Sequence, residues 1–507
     1  MVLAETAGIV IEALGILVQP EYFIILVIGV LLGFFIGVIP GIGGAVTLAL
    51  LIPVTYGFEP LKAFILMTAA LGGINQGASI TAILLNTPGA APNAATIFDG
   101  YPMTRNGEAG RAIGAAATVS ALGSLLGVTV LLLSLPFMIL FVLAFGPPEI
   151  FWLGVWGLTL IAVIVGKSIV TGLISALLGM VVALHGINPG TSTIRWDYGQ
   201  TFMWDGFELV PVMIGLFAVA EMMRLAVEGA TISKEAEGGS GGSVTGRLEG
   251  VKDVYRNKWL ALRSAGIGLF IGAIPGVGGV AANFIAYFQA TQTTKNSERY
   301  GTGDVRGVIA SEGSNDAKDG GGFIPTLGLG IPGSVSMAIL LGAFLLHGIT
   351  PGPNIVLNHM DIVGVIIITL LVSNIMCSIL ALSTANQFAK VATVNIYYIV
   401  PIVLVIAFLG SYAVRNNIYD LLFVLLFGVL GFIMLEINMS RVPLILAVVL
   451  TPIVETNFFR ALQISNGDYA VFFRSTIAVI LALLVVISLL LPFIKKQINE
   501  RDLQLKQ

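Results

Sequence analysis

The stretch "GFFIGVIPGIGGAV" (residues 33–46) lies inside a segment with no charged residue from Tyr22 to Phe58. So apolar a segment reads as membrane-embedded, yet it carries Pro40 and the glycines Gly33, Gly37, Gly41, Gly43 and Gly44. Proline and glycine are poor residues for an uninterrupted helix. Hydrocarbon cannot hydrate a free peptide group, so non-helical backbone at membrane depth survives only when buried in protein or lining a wet cavity. The stretch therefore predicts a deliberately broken helix.

The rest of the chain supports the membrane reading. Of 507 residues, 56% are hydrophobic and 10% charged, against about 25% charged in an ordinary soluble domain. Uncharged runs recur at 123–145, 264–294, 320–360, 362–389, 391–414 and 475–494. Each reaches the roughly 20 residues that cross about 30 Å of hydrocarbon. Soluble helices of that length would show a polar face. A net charge of −3 gives no basis for a nucleic-acid partner. Cys377 is the one cysteine, which excludes an internal disulfide and fits buried packing in an apolar run. The first twenty residues hold Glu5 and Glu12 but no Lys or Arg, so no cleaved signal peptide is expected.

Basic residues set the expected orientation. Segment 221–263 holds Arg224, Lys234, Arg247, Lys252, Arg256, Lys258 and Arg263, and its middle, "EGGSGGSVTG", has a linker composition. The end of the chain adds Lys495, Lys496, Arg501 and Lys506. The positive-inside rule puts both in the cytoplasm and the bare N-terminus outside.

A second copy of the opening stretch follows the linker. "GLFIGAIPGVGGVA" (268–281) is identical to 33–46 at nine of fourteen positions, pairing Pro40 with Pro275 and Gly41-x-Gly43-Gly44 with Gly276-x-Gly278-Gly279. "ILLNTPGAA" (83–91) then matches "LGLGIPGSV" (327–335) in the same order. The expected organisation is an outside segment 1–20, a first transmembrane repeat 20–225, a cytoplasmic linker 226–260, a second repeat 261–494 and a cytoplasmic tail 495–507. With the repeats entering from opposite sides, this is an all-α polytopic membrane protein. It is expected to be an inverted-topology repeat with broken helices or re-entrant hairpins and about 11 or 12 spans. Broken segments at corresponding places in two halves are the best sequence pointer to a transporter's midplane site. Close helix packing through small residues is the competing explanation of the same glycines.

The polar groups gather near these motifs. Run 63–98 is uncharged but contains Asn75, Gln76, Ser79, Thr81, Asn86 and Thr87. Its counterpart, "SEGSNDAKDGGGFIPTLGLGIPGS", brings Ser311, Glu312, Ser314, Asn315, Asp316, Lys318, Asp319, Thr326 and Ser334. Such groups need partners, which a substrate in a cavity can supply. Freed amides at a helix N-terminus attract anions and freed carbonyls at a C-terminus attract cations. The candidate substrate site is Asn86, Thr87, Pro88, Gly89, Gly333 and Ser334, with Ser79 and Asn315. The candidate ion site is Asn75 with Gly41, Gly43, Gly276 and Gly278. The charges of 311–320 are equally compatible with an exposed loop.

"GVIPGIGG", "ILLNTPG", "DGYPM", "GAIPGVGG", "LGIPGS" and "LHGITPGP" together resemble the signatures of the large membrane subunit of tripartite tricarboxylate transporters, from about residue 20 to about 460. The resemblance implies a secondary transporter in the inner membrane. It implies work with a small membrane subunit and a periplasmic solute-binding protein, importing organic anions such as citrate on a Na⁺ or H⁺ gradient. No further cofactor is implied. "SEGSNDAKDGG" carries more charge than that family usually has there. "DGYPM" (99–103), followed by Arg105 and Arg111, reads as a loop turn, and His185 and His347 as turn residues before proline.

Other classes fit less well. An intramembrane enzyme needs a nucleophile with a base or a metal cluster, and neither pattern occurs. Gly41-x-Gly43-Gly44 is neither a phosphate loop nor a dinucleotide fingerprint. An anion channel or pore-forming subunit stays open as an alternative, because broken helices also build selectivity filters. Lipid is the surrounding solvent, and an oligomer stays open.

Overall fold

The computed structural model describes residues 2–142, 144–164, 169–227, 245–391 and 396–504. Residues 228–244 of the linker expected at 226–260 lie outside the described residues. The described chain is helical, apart from a two-stranded hairpin pairing β1 (Gly186–Ile187) with β2 (Ile194–Arg195). Eight of its helices are long and apolar enough to cross a membrane. The larger count expected from the sequence includes pieces such as Gly44–Thr55 and Val335–Leu346, apolar but only 12 residues long, too short to cross.

The elements run in two series. The first is α1 (Val2–Leu17), α2 (Pro20–Gly37), α3 (Gly44–Thr55), α4 (Pro60–Leu85), α5 (Ile97–Arg105), α6 (Ala109–Val142), α7 (Pro147–Ile164), α8 (Ile169–Ala183) and α9 (Leu209–Val227). The second is α10 (Arg247–Arg256), α11 (Lys258–Gly272), α12 (Gly278–Thr293), α13 (Val305–Asn315), α14 (Ala317–Leu329), α15 (Val335–Leu346), the short α16 (Pro353–Asn358), α17 (Met360–Val391), α18 (Ile396–Arg415), α19 (Tyr419–Glu436) and α20 (Val442–Ile464). A last helix, α21 (Thr476–Gln504), packs against α7. The segment before the first motif is thus itself a helix, α1, in the place that α10 holds in the second series.

Glycine makes the match between the halves exact to the residue. A Cβ built on Gly33 or Gly37 of α2 would lie 2.1 Å from the Ala70 carbonyl oxygen or 2.5 Å from that of Ile74. On Gly268 or Gly272 of α11 it would lie 2.3 Å from the Ser314 oxygen or 2.2 Å from that of Lys318. Small residues let backbones meet where lipid supplies no hydrophobic drive between helices. The four contacts align Ala70 with Ser314 and Ile74 with Lys318.

The halves also exchange partners. Helix α1 packs on α17 and α10 on α6; α4 packs on α17, while α13 and α14 pack on α6. Helix α8 packs on α20 and α19 on α9. Helices of each half are therefore packed against helices of the other.

Candidate functional site

Both helices break as their prolines and glycines demand. Helix α2 ends at Gly37 and α3 starts at Gly44; α11 ends at Gly272 and α12 starts at Gly278. Gly41 and Gly276 hold φ of +83° and +78°, a left-handed conformation costly for any residue with a Cβ. The connecting turns repeat hydrogen bond for hydrogen bond: Ile42 N–H to the Ile39 carbonyl and Val277 N–H to that of Ile274, each 3.3 Å. The opening motif therefore does two jobs. Gly33 and Gly37 let helices touch, and Pro40 to Gly43 end one helix and start another. The copies differ at Gly43, with φ −66°, against +70° at Gly278.

Two tips face these breaks. Asn86 caps α4 in the left-handed region (φ 58°), and Gly330 caps α14 there (φ 70°). Pro88-Gly89 and Pro332-Gly333 follow. A Cβ on Gly89 would lie 2.2 Å from the Gly37 oxygen, and one on Gly333 2.6 Å from the Gly272 oxygen; each tip rests on the helix end of its own repeat. Just past each tip the chain reaches the other repeat. Ser336 lies 3.1 Å from a Cβ built on Gly44, and Pro92 lies 3.1 Å from one built on Gly279.

The tips are not equally open. Asn86 is exposed, whereas Gly330, Ile331, Pro332 and Gly333 are buried. The turn at Pro351 and Gly352 covers the second tip, a Cβ on Gly352 lying 3.0 Å from the Gly330 nitrogen. The Thr87 hydroxyl is buried without a hydrogen-bond partner. Ser334 is the N-cap of α15 and accepts the Met337 N–H at 3.3 Å, leaving its own proton to donate.

Between the tips lies a buried polar cluster. Glu312, Asn315 and Asp316 are completely buried, and Lys318 and Asp319 nearly so. Glu312 accepts from Ser79 (2.7 Å), Asn93 (3.1 Å), Asn315 (3.1 Å) and Thr96. The Asn75 amide nitrogen donates to Asp316 (2.8 Å) and Asp319 (2.6 Å). The Lys318 ammonium donates to the Asn315 carbonyl at 2.6 Å and to both Asp319 oxygens at 3.2 Å. Its stem covers Gly279, with Cε 2.0 Å from where a Cβ would stand. Ile74 takes the equivalent place over Gly44, at 3.8 Å.

The candidate residues thus divide into three groups. Asn86, Thr87, Pro88, Gly89, Gly333 and Ser334 form the tips, while Gly41, Gly43, Gly276 and Gly278 form the breaks. Asn75, Ser79 and Asn315 lie deeper and donate to carboxylates of the chain itself. The charges of 311–319, equally readable as a loop from sequence, are buried on α13, α14 and the turn between them. Asn93 and Thr96 were missed, although they fall in the same uncharged run as Asn75 and Ser79.

"DGYPM" begins inside helix α5 rather than forming a turn. Asp99 is buried, and its Oδ1 accepts the N–H groups of Gly301 (2.8 Å), Gly303 (3.0 Å) and Asp304 (2.8 Å). The Tyr287 hydroxyl donates to Oδ2 at 2.9 Å. Asp99 of the first half so fastens the α12–α13 connection of the second. The reverse contact is lighter: His347 meets the Thr55 hydroxyl at 3.2 Å beside Phe64.

Two cavities lie away from the tips. One, of about 270 Å³, is lined by His185, Asp205, Phe207, Glu208, Leu345 and Pro452 among others, and its carboxylates disfavour an anion. The other, of about 390 Å³, is lined by Leu122, Val254, Tyr255, Ala261 and Leu262 among others, and offers little to a polar ligand. Among the described residues, no three His, Cys, Asp or Glu side chains are grouped so as to hold a metal ion.

Comparison with known proteins agrees with this architecture. Residues 23–446 match the model of the tripartite tricarboxylate transporter TctA family. The chain is 34% identical over 484 residues to an uncharacterized 52.8 kDa protein in the TAR-I ttuC' 3'region of Agrobacterium vitis, covering 93% of each chain. It is 35% identical over 233 residues to an uncharacterized protein in the TAR-II ttuC' 3'region of the same organism, covering 45% of this chain and 96% of the relative. No solved structure matches it. A match across both broken helices, both tips and the polar segment between them leaves one conclusion: the chain belongs to the tripartite tricarboxylate transporter TctA family.

Proposed function

We propose that this chain is the large membrane subunit of a secondary transporter that imports a small organic anion of the di- or tricarboxylate class. Uptake is driven by a Na⁺ or H⁺ gradient. It works with a small membrane subunit and a periplasmic solute-binding protein. The chain sits in the inner membrane as an inverted repeat, with its N-terminus outside and its C-terminus in the cytoplasm.

The observation that carries this reading is the crossed contact of tips and breaks, Ser336 on Gly44 and Pro92 on Gly279. Substrate bound between them touches both repeats, so a rocking of one against the other changes which side it faces. The N-termini of α3, α12 and α15 supply partial positive charge for the anion. Asn86, Thr87 and the Ser334 hydroxyl supply donors. The open first tip and covered second tip are what one end of such a cycle requires.

Counterflow in vesicles tests the reading. The chain reconstituted with its two partner proteins should exchange labelled citrate outside for unlabelled citrate inside. A conductive leak without exchange would replace the carrier by a pore, and no movement of any di- or tricarboxylate would overturn the substrate class.

A further inference from the structure

The polar cluster is short of positive charge. Glu312, Asp316 and Asp319 bring three carboxylates, and Lys318 brings one ammonium. Residues facing Asp316 are Lys318 and Asp319 of α14, Glu312 of α13, Asn75 of α4 and the Cys377 thiol of α17. Helices α4 and α6 add no charge, since their basic residues Lys62 and Arg111 pair with Glu21 and Asp253. Burying net negative charge is costly unless protons or cations neutralise it, and an incoming anion makes the cost greater.

The three carboxylates are not equivalent. Four donors surround Glu312, filling the roughly four lone-pair sites of a carboxylate. Asp316 receives Asn75 on Oδ1, while its Oδ2 is fully buried with no partner, as is the amide oxygen of Asn315 beside it in sequence. A proton on Oδ2 would remove a charge from a buried atom that no donor reaches. A metal cation has less claim to the place, because the Lys318 ammonium already takes the Asn315 carbonyl and both Asp319 oxygens.

Resting on the carboxylate-transport reading, we infer that Asp316 is the coupling site, that it carries a proton, and that loss of its charge loosens the Lys318 ammonium from the cluster to pair with the bound anion. The proton converts the Asp316 carboxylate into a carboxylic acid, and no other bond is made or broken. Lys318 is suited to the exchange: its stem lies on Gly279, at the start of α12, where an anion would meet the helix end.

The test is titration calorimetry of the purified full-length protein with citrate and a panel of di- and tricarboxylates. Buffers of differing ionisation heat count the protons taken up. Runs either side of neutrality use K⁺ or Na⁺ at equal ionic strength. Citrate's own titration is common to all proteins and cancels on comparison. Wild type should take up about one proton more than Asp316→Asn, with affinity indifferent to Na⁺. Lys318→Met should bind roughly ten- to hundredfold more weakly, the worth of a charged hydrogen bond. Wild-type uptake no greater than citrate's own exchange overturns the assignment without recourse to a variant. So do equal counts in wild type and Asp316→Asn, or sodium-dependent affinity, and each leaves the carboxylate reading intact. No binding of any carboxylate by any of the proteins would overturn that reading, and the coupling assignment with it.

Discussion

Asn75 and Asp319 hold the same position in the two repeats, 244 residues apart, and hydrogen-bond to each other at 2.6 Å. Asn374 of α17 also donates to Ser124 of α6 at 3.1 Å, a second polar contact between the halves. A residue that touches its own counterpart lies on the axis relating the halves. At such a point two copies of one carboxylate would repel, and an amide facing a carboxylate does not. The axis is therefore where the repeats must differ in chemistry while matching in backbone.

That relationship makes Asn75 sensitive to charge. Asn75→Asp replaces a donor to two carboxylates with a further carboxylate in a buried site that already holds three. Breaking a buried charged arrangement by removing one partner costs about 3–5 kcal/mol, so thermal unfolding in detergent should fall well below wild type. Asn75→Gln, which keeps the amide, should lose less.

The glycines should separate by what they touch. Gly33→Ala and Gly272→Ala force a methyl to within 2.1–2.2 Å of backbone oxygen and should prevent a stable fold, read by size-exclusion profile. Gly43→Ala meets nothing closer than 3.8 Å and should fold normally. Gly278→Ala has open space but a positive φ, a strain of about 1–2 kcal/mol.

At the tips, Asn86→Ala, Thr87→Val and Ser334→Ala should each weaken citrate binding, measured directly on this subunit. A hydrogen bond to a charged group is worth about 1.5–3 kcal/mol, or roughly ten- to hundredfold in affinity. Unchanged affinity in all three, with the proteins folded, would move the substrate elsewhere.

Orientation is checked by cysteine labelling on a Cys377→Ser background. Val10→Cys and Ser240→Cys should react with an impermeant thiol reagent from opposite faces of the membrane. Reaction of both from one face would contradict an inverted repeat.

Much of this was legible in sequence because it rests on local backbone demands. Pro40, Gly41, Pro275 and Gly276 announce the breaks whatever surrounds them, and the repeated Pro-Gly of 88–89 and 332–333 announces the tips. The placement of Glu312, Asp316 and Asp319 was not legible. Their segment is as glycine-rich and charged as a loop, and only donors some 220–240 residues away, on Asn93, Ser79 and Asn75, make burial tolerable. Asp99 escaped notice for the same reason, since its partners Gly301, Gly303 and Asp304 belong to the other half.

The exchange of helices between halves carries a consequence for biogenesis. When ribosomes have delivered only the first repeat, α6 and α4 lack the surfaces of α13, α14 and α17 that bury them. The nascent first half must wait in the bilayer, its polar face on Asn75, Ser79 and Asn93 unpartnered, until its sibling is inserted. Severing the chain within 228–244 should accordingly leave two polypeptides that are each unstable when made alone and that rescue one another when made in the same cell.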